Sequence, residues 1–355
     1  MALSITKTHG SLNDILVIDG APTDHFAPAD VERAVRLLCD RDRGLGADGV
    51  YFIADDGDGT ARAYFYNPDG SASLLCGNGM RGAGRLLLDR HQAESVVLHT
   101  GPYAFTVRAA GTTGHGVRRV SVELPPVDFA PAQPIVAGAD GPFVDGALPA
   151  YHPARRVSAV AVPNSHLITV LGGQDAPDAR DAGDGRDAYD AYDEAELIAT
   201  GTRVAEAADA FPIGANVSFV RPLTATEVFV RTFERGAGLT PSCGSGVAAS
   251  RAVLSRLGLV DPEQPVVVRN PGGVARSWMQ VHGDRWQPVL EGNATNVYAA
   301  ELDPAVLLGE GPVRVEGEPF AEELHAFAAF NAENLAELKE AGVETTLHAP
   351  SPAGR

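Results

Sequence analysis

Cysteine is scarce in this sequence: there are three among 355 residues, and two of them stand in one repeated pattern. Leu75-Cys76-Gly77-Asn78-Gly79-Met80-Arg81 and Ser242-Cys243-Gly244-Ser245-Gly246-Val247-Ala248 both read Cys-Gly-polar-Gly, and each opens a run that should be helical. About half the chain separates them, which points to two related halves. A cysteine at a helix start lies near the positive end of the helix dipole, which favours thiolate over thiol. The glycines allow a tight turn and a close approach to a ligand. The free N–H groups of the first turn attract an anion. Two such helix starts facing one small molecule would hold its carboxylate from both sides. They would also put one sulfur on each face of the neighbouring carbon. The chemistry this allows is removal of a proton from one face and return of a proton to the other. A lone cysteine is more often a small buried hydrophobe, and Cys39, outside any such pattern, is assigned that part.

The elements that must carry these residues can be read along the chain. Residues 4–19 read as strand, turn and strand, and 28–41 as a helix with Val31, Val35 and Leu38 at helical spacing. Strands are expected at Val50–Ile53, Ala63–Tyr66, 95–100, 103–109 and 117–123, with a helix over about 78–90 after the first cysteine. Pro125, Pro126, Pro131 and Pro134 mark a crossing between domains. The second half is expected to hold a helix at 194–207, strands at Val217–Val220 and Glu227–Phe233, and a helix at 245–257 after the second cysteine. Strands near 265–269, 276–282 and 287–291 follow. Residues 173–195 are rich in Asp, Ala, Arg and Gly and read as a solvated, mobile acidic insertion rather than a metal cage. The halves are therefore bounded as 1–127 plus 293–302, and 128–292. Residues 303–355 read as an appendage. Its helix, 321–341, carries Leu324, Phe327, Leu335 and Leu338 on one side and packs on the body or on a second copy, as in a homodimer.

Composition limits the function classes. Apolar residues make up 45% and charged residues 21%, as in a globular protein. A net charge of −18 argues against nucleic-acid binding and against adhesion to an anionic membrane. No apolar run spans a bilayer and the first residues lack a signal-peptide core, so a cytoplasmic location is expected. Three scattered cysteines make no disulfide framework. Gly44–Gly49 and Gly77–Gly82 both fit G-x-G-x-x-G. The first precedes a strand instead of a helix, and no acidic residue ends Val96–Thr100 after the second, so no dinucleotide cofactor is expected.

Several motifs in order complete the reading. They are His9-Gly10-x-x-Asn13-Asp14, Gly44-Leu45-Gly46-Ala47-Asp48-Gly49, Asn67-x-Asp69-Gly70-Ser71, Cys76-Gly77-Asn78-Gly79, Asn164-x-His166, Phe211-Pro212-x-Gly214-x-Asn216-Val217, Glu234-Arg235-Gly236-x-Gly238, Cys243-Gly244-Ser245-Gly246 and Pro271-Gly272-Gly273. With these, residues 5–299 resemble the diaminopimelate epimerases. The resemblance implies an α/β fold of two pseudo-symmetric domains, each a curved, mostly antiparallel sheet wrapped around a central helix. It implies racemisation at an amino-acid α-carbon without pyridoxal phosphate, other cofactor or metal. Carried over by motif, Cys76 and Cys243 are the acid/base pair. Asn13, Gly77, Asn78, Gly244 and Ser245 hold the reacting end of a small amino-acid substrate. Asn67, Asn164, Asn216, Glu234 and Arg235 hold its far end.

The chain departs from the family at four places. Pro163-Asn164-Ser165-His166 stands for the usual Gly-Asn-Pro-His, and Gly238-Leu239-Thr240 for the usual Gly-Glu-Thr. The acidic stretch and the long tail lie outside the pattern. The alternative within the family is a racemase for another amino acid, such as histidine or a specialised-metabolite precursor. From other classes, a thiol–disulfide redox protein is disfavoured by the absence of Cys-x-x-Cys. A catalytically dead amino-acid-binding protein is disfavoured by the presence of both cysteines.

Overall fold

The repeated cysteine pattern is matched by a repeated chain path. The computed structural model describes residues 2–172, 191–309 and 311–347. Its helices are α1 (Pro22–His25), α2 (Val31–Cys39), α3 (Gly77–His91), α4 (Glu194–Glu206), α5 (Gly244–Arg256), α6 (Pro304–Leu307) and α7 (Ala321–Glu340). The chain divides into two units: Met1–Glu123 with Glu291–Phe330, and Leu124–Leu290 with Asn331–Arg355. The tail, residues 303–355, is shared out, belonging to the first unit through Phe330 and to the second from Asn331.

In the first unit, strands Leu3–Gly10, Asn13–Asp19, Val50–Asp55, Thr60–Tyr66, Ser95–Thr100 and Tyr103–Thr112 pair in sequence. The second and third run parallel, as do the fourth and fifth; the other neighbours are antiparallel. Thr295–Leu302 returns to pair with Leu3–Gly10. In the second unit, Arg156–Val162, Asn164–Val170, Asn216–Thr224, Glu227–Glu234, Val266–Asn270 and Gly273–His282 repeat the same order and the same alternation of directions. Even the details repeat. A two-residue strand, Ala72–Ser73 or Gly238–Leu239, folds back on the fourth strand of its unit just before the cysteine.

Strands such as Asn13–Asp19, with four consecutive buried residues, are covered on both faces. On one face of the first sheet, Leu3, Ile5, Leu16, Ile18 and Phe52 pack with Val31, Val35 and Leu38 of α2. On one face of the second, Leu167, Val217, Phe219 and Phe229 pack with Leu197 and Val204 of α4. The cysteine helices are central: α3 lies against strands Leu3–Gly10 and Asn13–Asp19, and α5 against Arg156–Val162 and Asn164–Val170. α5 is buried at every position from Gly244 to Ser255, which its small side chains allow. None of the described helices is long and apolar enough to cross a membrane.

Two expectations change. Most of the acidic stretch, 173–190, lies outside the described residues, and its end, 191–195, leads into α4. Asp193 caps α4 by accepting from the N–H groups of Ala195 and Glu196, and Tyr192 enters the core. Along α7 the buried stripe is Phe327, Asn331, Asn334 and Leu338, so two amides take places where the apolar pattern put leucines.

Candidate active site

In the first unit, Cys76 is the N-cap of α3, and its Sγ accepts from the N–H of Gly79 at 3.5 Å. The cap is held by Tyr51, which is fully buried. Its hydroxyl accepts from the Cys76 N–H at 3.0 Å and donates to the Cys76 carbonyl at 3.3 Å. Burial keeps this phenol protonated, well above its usual range. Gly79 must be glycine for that contact, since a Cβ there would lie 2.8 Å from the Tyr51 ring. Asn13 reaches the same sulfur, its Oδ1 accepting from Sγ at 3.5 Å. Asn13 arrives there through a two-residue hairpin loop in which Gly10 pairs with Asn13. Ser11 and Leu12 take the left-handed φ values, 54° and 62°, that such loops require. Neither is glycine, so the turn is strained, and Asn293 holds it: its Oδ1 accepts from Ser11 N at 2.8 Å and its Nδ2 donates to His9 O at 3.1 Å. Below the cap, buried Arg81 donates to Asn78 Oδ1 at 2.9 Å and to Asn293 O at 3.0 Å. Burial pulls this guanidinium down to about 10, and attraction to the Cys76 sulfur works the other way.

In the second unit, Cys243 caps α5 in the same manner, its Sγ accepting from Gly246 N at 3.4 Å. The backbone angles agree closely, φ −123° and ψ 108° at Cys76 against φ −118° and ψ 110° at Cys243. A Cβ on Gly246 would meet Thr232 Oγ1 at 2.6 Å, so this glycine also serves close approach. The surroundings differ. Cys243 is buried, with Ser245 Oγ at 3.5 Å from its sulfur. Burial pushes its thiol well above the normal range, and the charge and hydrogen bond of Glu234 push further; Ser245 and Gly246 pull the other way. The lowered pKa expected of a helix start is therefore corrected at Cys243. A helix end contributes roughly 0.3–2 kcal/mol, whereas full burial shifts a pKa by up to about 3–5 units, at about 1.36 kcal/mol each.

The other residues singled out from sequence fall in both units. Gly77 and Asn78 are buried in the first turn of α3, and Gly244 and Ser245 in that of α5. Asn67 anchors its own turn, its Nδ2 donating to Ser71 Oγ at 3.0 Å. Asn164, Asn216 and Glu234 lie at the same edge of three adjacent strands. Asn216 Oδ1 accepts from Arg235 N at 2.9 Å, and the Arg235 guanidinium donates to Ile213 O. Glu234 accepts from the Thr240 hydroxyl. Asn164, Asn216, Glu234 and Arg235 thus belong to the second unit, and Asn13, Asn67, Gly77 and Asn78 to the first.

The sequence profile described as diaminopimelate epimerase matches residues 5–121 and 189–297, which include both cysteine caps. The chain belongs to the diaminopimelate epimerase family. It is 32% identical over 313 residues to the diaminopimelate epimerase of Ligilactobacillus salivarius, covering 85% of this chain and 91% of that one. It is 33% identical over 311 residues to the diaminopimelate epimerase of Enterococcus faecalis, covering 85% and 89%. The crystal structure of the Bacillus anthracis phenazine biosynthesis protein of the PhzF family shares the fold, with a TM-score of 0.58, 12% identity, and coverage of 85% and 99%. The protein is an isomerase of the amino-acid epimerase and racemase class.

Several residues around the cysteines of this family member escape a motif reading. Tyr51 sits in an apolar strand, where a buried hydroxyl requires a partner; that requirement was the available signal. Asn293 and Arg81 carry no local signal, because their partners are distant in sequence. His166 is fully buried, both ring nitrogens lack a hydrogen-bond partner among the described residues, and burial holds it near 3, so it is a neutral imidazole. Cys39 packs in the first core and is pushed up to about 12, in keeping with a structural part.

Proposed function

We propose that this enzyme interconverts LL- and meso-diaminopimelate by a two-base reaction in which Cys76 and Cys243 exchange the parts of base and acid. The observation that carries the reading is one cysteine cap built twice, at equivalent points of a duplicated fold, with nearly identical backbone angles. The names of the relatives supply the substrate.

The charged neighbours divide the work. Attraction between the Arg81 guanidinium and a Cys76 thiolate favours the charged form of each, whereas burial, reinforced by Glu234, keeps Cys243 protonated. In one direction the Cys76 thiolate takes the α-proton. The C–H bond breaks, its electron pair stays on the α-carbon and spreads into the carboxylate, and an S–H bond forms. Cys243 then delivers its own proton to the opposite face. The reverse direction exchanges the parts. Free N–H groups at the starts of α3 and α5, with Asn13, Gly77, Asn78, Gly244 and Ser245, hold the carboxylate as charge builds on it. General acid–base catalysis supplies about 10²–10⁴ of the rate, so this electrostatic support is needed as well. Asn67, Asn164, Asn216, Glu234 and Arg235 receive the distal amino-acid group, with Arg235 for its carboxylate and Glu234 for its ammonium.

Leu239, which replaces the family's glutamate, packs on the apolar core of the second unit. The test is incubation with LL- and meso-diaminopimelate, lysine and histidine in deuterated water. Deuterium should enter the α-carbon of diaminopimelate as the isomers interconvert, with lysine at least about 10²-fold poorer in kcat/KM. Cys76→Ala and Cys243→Ala should each stop interconversion while remaining folded. A preference for histidine would keep the chemistry and overturn the substrate; full activity in either alanine variant would overturn the two-base reading.

A further inference from the structure

Residues beyond 297 lie outside the family match, yet in the second unit they support the loop that delivers Cys243. Thr240 and Pro241 lead into Ser242 and Cys243, and both have their carbonyl oxygens held. Pro241 O accepts from the N–H of Gly272 at 2.9 Å. Thr240 O accepts from Arg231 Nη1, and this guanidinium is almost wholly buried.

Each hold is completed by the tail. Gly272 belongs to the turn Asn270-Pro271-Gly272-Gly273, and two buried amides of α7 grip that turn. Asn331 Nδ2 donates to Pro271 O at 3.2 Å, and Asn334 Nδ2 donates to Asn270 O at 3.0 Å and to Asn331 Oδ1 at 3.1 Å. Arg269 Nη1 donates to Asn334 Oδ1 at 3.3 Å, fixing which way that amide points. On the other arm, Arg231 Nη2 donates to Thr346 O at 3.1 Å. Thr345 and Thr346 in turn bond to the Glu194 carboxylate, which pairs with Arg231 at 3.5 Å. A helix lying on the surface has no need of two amides in its buried stripe, since apolar residues there are simpler to satisfy. Here the amides match backbone groups of one turn.

We infer that Asn331, Asn334 and the Thr345–Thr346 segment are positioning elements for Cys243, acting through the Asn270–Gly273 turn and through Arg231. The inference rests on the proposed acid/base part of Cys243. Placement of a reacting group matters steeply, because an error of about 1 Å costs about 10²-fold in rate.

The test uses the full chain with Asn334→Ala, measured well below its unfolding midpoint. The expected result is a fall in kcat of about tenfold or more with KM changed by less than about twofold. Iodoacetamide modification, read by peptide mass spectrometry, should change at Cys243 and stay constant at Cys76. If Asn334→Ala does not fold, Asn331→Ala, which removes the bond to Pro271 and the bond from Asn334 but leaves Asn334 on Asn270, gives the same readouts. A folded variant with unchanged kcat and an unchanged Cys243-to-Cys76 modification ratio would overturn the inference. So would a parallel change at both cysteines, which reports general loosening. The modification ratio needs no turnover. If the wild type inverts no amino acid while the ratio still shifts, the proposed reaction fails and the placement of Cys243 by the tail stands.

Discussion

Glu234 sits where a substrate-binding carboxylate was expected and also meets the Cys243 sulfur. Burial disfavours the Cys243 thiolate, and a carboxylate beside the thiol disfavours it further. In Glu234→Gln the repulsion is removed, leaving burial against the pull of Ser245 and Gly246. The thiolate of Cys243 should then form at lower pH than it does with Glu234 in place. Ultraviolet thiolate absorbance against pH, measured in the Cys76→Ser background, reads this directly. A midpoint that stays put or rises would mean that Glu234 does not face the sulfur. The two cysteines were legible because a rare residue recurs in one glycine pattern. Their different surroundings were not, because Arg81, Glu234 and the depth of burial are set by packing.

At the scale of elements, the helices after each cysteine were readable almost to their ends, since caps, glycines and apolar runs are local signals. The reversal at Pro163 was not. Asn164, Ser165 and His166 belong to the strand, with Val162 pairing directly with Asn164. The two-residue length of the loop before Asn13 was not legible either, because Ser11-Leu12 lacks the asparagine or glycine that usually marks such a loop. Asn293 compensates from across the sequence and is almost fully buried. Asn293→Ala leaves Ser11 N and His9 O without that partner, at about 1–3 kcal/mol for each buried group. Expected are a lower urea midpoint and, through a displaced Asn13, a lower kcat. Wild-type values for both would remove the turn from the catalytic account.

Across the whole molecule, two buried histidines make stability dependent on acid. Burial lowers His9 to about 4 and His166 to about 3, from an ordinary 6.5. Both are neutral when folded, and in the unfolded chain both take up protons below about 6.5. The unfolded state therefore binds more protons in this window, and stability falls as pH drops from 6.5 towards 4. Each group contributes on the order of 3 kcal/mol to that fall. Denaturant unfolding at pH 7 and 4.5 should show the decline, and His9→Asn should flatten it; equal slopes in the two proteins would rule His9 out. The two-part plan of the chain was visible in its repeated motif, whereas the allotment of the tail to both units was not, because its anchors are amides and carbonyls with no period to detect.

α5 differs from α2 in one respect that bears on how the sequence can change over time. α2 leaves Glu32, Arg33 and Arg36 in solvent, so substitutions on that face are nearly neutral and can accumulate at helical spacing. α5 has no such face from Gly244 to Ser255. Any enlargement there meets packed atoms, and any reduction opens a void. A saturation library should therefore show a tolerance profile that rises and falls every three to four residues along α2 and lies flat and low along α5. Drift in this lineage is then confined to the outer helices and the loops, while the segment that carries the second thiol stays almost fixed in size at every position.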